Sequence, residues 1–108
     1  MSGTAKRLDL CATSEVAPGT ALKVESGDLA LAVFNVDGEF FVTDDTCTHG
    51  KASLADEGDL EGHCITCTWH DGKFDIRTGA VLSPPCTTAL KTYPVHIEAG
   101  ALFVDADD

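Results

Sequence analysis

The chain has 108 residues, 44% of them hydrophobic and 23% charged, which fits one packed domain and excludes wholesale disorder. Seven Lys and Arg against 18 Asp and Glu give a net charge of −11. That balance excludes nucleic acid and anionic membrane surfaces, both of which need clustered cations, and favours partners that present basic patches.

In chain order, Met1 to Leu10 carries Lys6 and Arg7 with no apolar stretch after them. No signal peptide is read there, so the expected compartment is the cytoplasm. Leu8 to Cys11 is a weak strand candidate, Ala12 to Gly19 a short turn closed by Pro18-Gly19, and Ala21 to Val24 a second weak strand. Leu29 to Val36 is apolar enough for a buried strand, and its run Leu29 to Phe34 is far too short to span a membrane. Asp37-Gly38 is a hairpin signal, because glycine tolerates positive φ, and Glu39 to Thr43 is the returning strand.

Residues 44–86 differ in composition. They hold four of the five Cys, three of the four His and the only Trp, punctuated by Gly50, Gly58, Gly62, Gly72 and Gly79. One weak strand is expected there, Gly72 to Asp75. Near the C-terminus Tyr93, Val95 and Ile97 alternate with Pro94, His96 and Glu98; Ala99-Gly100 turns the chain, and Leu102 and Val104 continue the apolar series. This reads as a second hairpin with one buried face. The expected fold is all-β: an antiparallel sandwich or barrel base, about 1–43 and 87–108, carrying an inserted lobe at about 44–86 in a single domain.

The lobe carries the chemistry. Cys47-Thr48-His49 is C-x-H and Cys67-Thr68-Trp69-His70 is C-x-x-H, with seventeen residues between them, and each pair is followed by glycine within two residues. Both pairs read as loop tips offering thiolate and imidazole. Two Cys and two His on two loops can hold one zinc or a binuclear iron–sulfur cluster. Structural zinc sites usually pair like with like, C-x₂₋₄-C then H-x₃₋₅-H. Here each loop has one of each, as a [2Fe–2S] cluster needs if one iron takes both thiolates and the other both imidazoles. Five cysteines, an odd number, also suit a metal site better than a disulfide frame.

The pattern C-x-H…C-x-x-H resembles the Rieske motif. With the preceding Asp-Gly hairpin, Phe74 and Asp75 after the motif and the Ser83-Pro84-Pro85 segment, the resemblance covers roughly residues 20–105. It is greatest to Rieske-type ferredoxins of bacterial aromatic-ring dioxygenase systems. It implies that Cys47 and Cys67 bind one iron, that His49 and His70 bind the other through Nδ1, and that Ser83-Pro84-Pro85 packs over the cluster. With two thiolates the oxidised centre has a formal charge of zero, against minus two with four, so it accepts an electron more readily than a plant-type ferredoxin. High-potential Rieske proteins carry two extra cysteines that form a disulfide, but the matching positions here are Ala52 and Trp69. Their Ser and Tyr hydroxyl donors are matched by Gly72 and Phe74. Fewer donors to sulfur imply a potential near about −150 mV, the low end of the Rieske range.

The implied role is a soluble, low-potential one-electron carrier in aromatic hydrocarbon catabolism, between an NAD(P)H-linked flavoprotein reductase and a terminal oxygenase. It would not be an enzyme by itself, since no dinucleotide-binding glycine motif is present. Two alternatives stay open: the small Rieske subunit of another redox complex, of the nitrite reductase type, and a structural zinc-binding interaction module. Cys64 makes C-x-x-C with Cys67 but reads as a small buried residue, and Cys11 and Cys86 read as packing thiols. His63 reads as a surface or hydrogen-bonded residue, His96 as outward-pointing, and Trp69 as packing beside the cluster. Asp56, Glu57, Asp59 and Glu61 read as a solvated loop or a docking face for a basic partner, and Asp105 to Asp108 as a frayed tail.

Overall fold

The computed structural model describes residues 6–26, 29–46, 53–67, 72–83 and 89–106. Their strands form three antiparallel sheets. β1 (Lys6–Ala12), β11 (Ala101–Ala106) and β10 (Val95–Glu98) make the first. β2 (Ala21–Ser26), β3 (Leu29–Val36), β4 (Glu39–Asp44) and β9 (Thr92–Tyr93) make the second. β5 (Gly58–Glu61), β6 (Cys64–Cys67), β7 (Gly72–Asp75) and β8 (Val81–Ser83) make the third. The all-β antiparallel expectation holds.

β3 explains how the sheets stack. Leu31 and Val33 enter a core with Val42, Tyr93, Leu102 and Val104, shared with the first sheet. Ala32 and Phe34, on the other face, enter a core with Leu54, Ile65, Phe74 and Leu90, shared with the third. Successive side chains of a strand point to opposite faces, so an unbroken apolar run is what a strand covered on both faces requires. All four β3 residues are fully buried, and each large side chain so buried contributes about 1.5–3 kcal/mol.

Both anticipated hairpins close through two residues of positive φ. Asp37 and Gly38 have φ of 52° and 91°, Ala99 and Gly100 of 51° and 79°, the type I′ geometry that matches strand twist. Buried Asn35 serves the first: its Nδ2 donates to Val16 O at 2.7 Å and its Oδ1 accepts from Gly38 N at 2.8 Å. The segment read as a turn at Ala12 to Gly19 contains a 3₁₀ turn, Thr13–Glu15.

Four expectations need correction. The tail read as frayed from Asp105 is a strand at its start, because Asp105 and Ala106 pair with Arg7 and Lys6 as the end of β11. The alternation from Tyr93 to Ile97 is split, because Tyr93 pairs with Val42 in the second sheet and Val95 with Val104 in the first. Pro94, which has no N–H to continue a ladder, stands at the change of sheet. Ile97 is 49% exposed although Leu102 opposite it is buried, since β10 is the edge strand of its sheet and β11 the middle one. The acidic run is not a loop: Asp56 and Glu57 lie on a one-turn helix, α1 (Leu54–Glu57), and Asp59 and Glu61 on the outward face of β5.

Candidate metal centre

Register in the third sheet gathers the ends of four strands. Gly58 pairs with Cys67, Cys67 with Gly72, and Lys73 with Ser83. Residues 68–71 therefore connect two directly paired residues, and residues 84–88 leave from the same end of the sheet. α1 also arrives there, since Gly58 is its C-cap. At its other end Ser53 bridges to Thr46, closing residues 47–52 at their base. A four-residue helix spans about 6 Å and adjacent strands lie about 5 Å apart, so Ser53, which follows residues 47–52, and Cys67, which precedes residues 68–71, are held within roughly 10 Å of each other.

Cys67 is the one proposed ligand among the described residues; Cys47, His49 and His70 lie outside them, as do Trp69, Pro84, Pro85 and Cys86. Cys67 ends β6, is 1% exposed, and shares a core with Leu54, Ile65 and Phe74. The residue opposite it on each neighbouring strand is glycine, Gly58 and Gly72, so no cross-strand side chain competes for the space beside its sulfur. A soft donor in a dry position at the end of a strand, with glycine on both neighbouring strands, fits an iron–sulfur ligand, because apolar surroundings keep water from a metal and its sulfides.

The remaining described cysteines and histidines, Cys11, Cys64, His63 and His96, lie away from Cys67. Cys64 is three residues from Cys67 along one strand, about 10 Å away and on the opposite face, too far for the Cα separation a disulfide requires. Half-buried Cys11 packs against the base core. Burial pushes its thiol pKa up, and Glu15 and Asp9 add to the effect, which leaves it a poor nucleophile. His63 is in the β5–β6 turn, at the opposite end of the sheet from Cys67. Its ring meets Phe41 edge-on, centroids 5.4 Å apart, with Glu39 Oε1 at 4.0 Å. His96 is on the outward face of the base, its Nε2 2.6 Å from Asp105 Oδ2. Among the described residues no three His, Cys, Asp or Glu side chains gather into a competing metal site.

Sequence reasoning missed several residues that hold the loops in place. A Cβ on Gly58 would sit 2.3 Å from Leu54 O and 2.8 Å from Ile65 Cδ1, so only glycine lets α1 close onto β6. Gly79, at φ +79°, would place a Cβ 1.8 Å from Leu90 O. Its own carbonyl accepts from Leu90 N at 2.8 Å, which closes the segment containing residues 84–88. Arg77 grips Asp75 with Nε and Nη2 at 3.0 and 2.9 Å, and this hydrogen bonding holds the Asp75 carboxyl below the usual carboxylate range. A glycine in a turn-rich sequence gives no local sign of which carbonyl it will face.

Comparison with known proteins agrees with this geometry. The description "Rieske [2Fe-2S] domain" matches residues 6–94. The ferredoxin component of the p-cumate 2,3-dioxygenase system of Pseudomonas putida is 52% identical over 98 residues, covering 89% of this chain and 82% of that one. The biphenyl dioxygenase ferredoxin subunit of Pseudomonas sp. (strain KKS102) is 50% identical over 95 residues, covering 88% and 87%. Among solved structures, a Sphingomonas yanoikuyae B1 ferredoxin superposes with a TM-score of 0.87 at 48% identity, covering 93% and 98%. A chain from the complex of reduced oxygenase and oxidised ferredoxin in carbazole 1,9a-dioxygenase does so with 0.87 at 42%, covering 94% of each. With that description matching residues 6–94 and relatives at least half identical over most of the chain, the chain belongs to the Rieske [2Fe–2S] domain family.

Proposed function

We propose that Cys47 and Cys67 bind one iron of a [2Fe–2S] cluster and His49 and His70 the other. In this reading the chain is a low-potential ferredoxin that carries single electrons from an NAD(P)H-linked flavoprotein reductase to a terminal ring-hydroxylating oxygenase, in the cytoplasm. It works as one unit, with a base at about 1–43 and 87–108 and a cluster-binding lobe at about 44–86. The observation that carries the ligand assignment is the buried Cys67 thiol, flanked by glycine on both neighbouring strands at the hairpin mouth. Support for the carrier role comes from relatives that are ferredoxin components of dioxygenase systems and from a structural neighbour in complex with an oxygenase.

When bound, the cluster supplies reversible one-electron chemistry. The chain's own residues give it a dry seat and a docking surface. Leu54, Ile65 and Phe74 exclude water beneath Cys67. Asp56, Asp59 and Glu61, exposed on α1 and β5, give the lobe an acidic side suited to a basic partner. Among the described residues no helix is long and apolar enough to cross a membrane.

The test is metal and sulfide analysis of the purified chain with EPR of the dithionite-reduced form. Two iron and two acid-labile sulfide per chain, with a rhombic signal averaging below g = 2, is the expected result. One zinc and no iron would overturn the proposal. Cysteine replacements of His49 and His70 should each change the visible spectrum, and an unchanged spectrum in either would refute the ligand assignment.

A further inference from the structure

Asp45 is a carboxylate only 1% exposed, two residues before Cys47 and absent from the ligand set. Burying a carboxylate costs several kcal/mol unless its oxygens are well bonded, so its partners show what the residue does. Its main-chain N–H donates to Ala30 O at 2.9 Å, its Oδ2 lies 4.0 Å from Lys23 Nζ, and among the described residues its other bonds go to α1. Its carbonyl accepts from Leu54 N at 2.7 Å and its Oδ1 from Ala55 N at 2.8 Å. The next two N–H groups of the helix end on Ser53: Asp56 N donates to Oγ at 3.2 Å and Glu57 N to the carbonyl at 2.8 Å.

All four N–H groups of α1 thus end on two residues, one on each side of the 47–52 loop. One turn of helix does not persist alone in water, and the first four N–H groups of any helix need outside acceptors. α1 therefore exists because Asp45 and Ser53 complete it. α1 in turn holds the spacing between the loops: Leu54 is buried against Ile65 and Cys67, and Gly58 N–H donates back to Leu54 O. A continuous series of short contacts runs from Ala30 on β3 through Asp45 and α1 to Gly58, opposite Cys67.

We propose that Asp45 is a positioning residue for the metal centre, holding α1, and with it Thr46 and Ser53 on either side of residues 47–52, against the strand that ends in Cys67. This rests on the ligand assignment above. It predicts that losing the Oδ1 acceptor loosens the metal centre before it loosens the base, and that an amide oxygen at the same place restores the hold.

The experiment compares the loaded parent with Asp45→Ala, Asp45→Asn and Tyr93→Phe, the last a base variant that does not touch α1. Decay of visible absorbance under a ferrous chelator, the reduced EPR g values and far-UV CD are measured for each. Asp45→Ala should lose its cluster at least about tenfold faster with shifted g values, the scale typical when an outer-sphere support of a metal site is removed. Asp45→Asn should stay within about threefold of the parent, because its amide oxygen can still accept from Ala55 N. An Asp45→Ala protein that keeps its cluster and g values like the parent, or loses it no faster than Tyr93→Phe, overturns the proposal. Should Asp45→Ala not fold, Ser53→Ala carries the same comparison: faster cluster loss supports the role and an unchanged half-life overturns it. A parent chain without iron sinks the ligand assignment itself, whereas a loaded parent with an equally durable Asp45→Ala sinks only the role of Asp45.

Discussion

The hydroxyl of Tyr93 donates to Asp44 Oδ1 at 2.5 Å, joining residues 49 apart in the chain. It ties β9 to the end of β4, three residues before Cys47. Burial, then the Asp44 hydrogen bond and charge, push the phenol pKa well above 10. A phenol whose folded pKa exceeds its unfolded value of about 10 contributes stability that is complete below pH 10 and lost as pH rises through the folded pKa. Since Tyr93 is the only tyrosine, difference absorbance near 295 nm reads it directly, and titration should stay incomplete until well above pH 10. Tyr93→Phe should lower unfolding free energy by about 1–2 kcal/mol at pH 7 and flatten the alkaline loss. An ordinary midpoint near 10 would contradict the bond.

Gly58→Ala should be among the costliest single-methyl additions in the lobe. The new Cβ meets a backbone carbonyl at 2.3 Å and the Ile65 side chain at 2.8 Å, and forced overpacking of this kind costs about 1–3 kcal/mol. Gly62→Ala is the control: its φ is +58° but nothing lies within 4 Å, so only backbone strain of about 1 kcal/mol applies. Urea denaturation should rank Gly58→Ala below Gly62→Ala, and the reverse order would count against the α1–β6 contact.

Ala99 offers a stabilising change. It holds φ 51° in the second hairpin turn, where a Cβ costs roughly 1 kcal/mol and where Gly or Asn is favoured. Ala99→Gly and Ala99→Asn should each raise the denaturation midpoint by the equivalent of about 0.5–1 kcal/mol, leaving the visible spectrum unchanged.

The reduction potential should lie near about −150 mV. Gly72 and Phe74 stand where high-potential relatives have hydroxyl donors, and Phe74 is fully buried, so neither side chain can stabilise added charge on sulfur. A redox titration followed by visible absorbance tests this, and a clearly positive midpoint would remove the argument from missing donors.

Electron delivery from the reductase should slow as salt rises. The acidic side formed by Asp56, Asp59 and Glu61 is exposed, and charges of this kind are screened over about 8 Å at physiological ionic strength. Raising salt from 50 to 500 mM, or combining Asp59→Lys with Glu61→Lys, should cut the second-order reduction rate by about tenfold. Rates indifferent to both changes would place docking on another face.

Much of the base was readable from residues close in the chain. Asp37-Gly38 and Ala99-Gly100 mark turns because the conformational demand falls on the turn residues themselves. Leu29 to Val36 reads as buried because its apolar run is local. The lobe was largely illegible: β5 alternates acidic with half-buried positions, β6 is four residues with a cysteine at each end, and both are strands only because they pair with each other and with β7. α1 went unread, since it is a single turn and the acceptors of its first two N–H groups belong to Asp45, nine residues before the helix.

Taken alone, the order of residues carried the case for the proposed centre: two Cys and two His in mixed pairs, within a strongly acidic chain. Ligand type and local spacing are properties of neighbouring residues, so no folding is needed to read them. Only the tertiary structure decided that β3 is covered on both faces, that Gly58 and Gly72 flank Cys67, and that Asp45 accepts from the first two N–H groups of α1. Those relations depend on which carbonyl or strand end comes to lie beside a residue far along the chain, and that is set by three sheets packing at once.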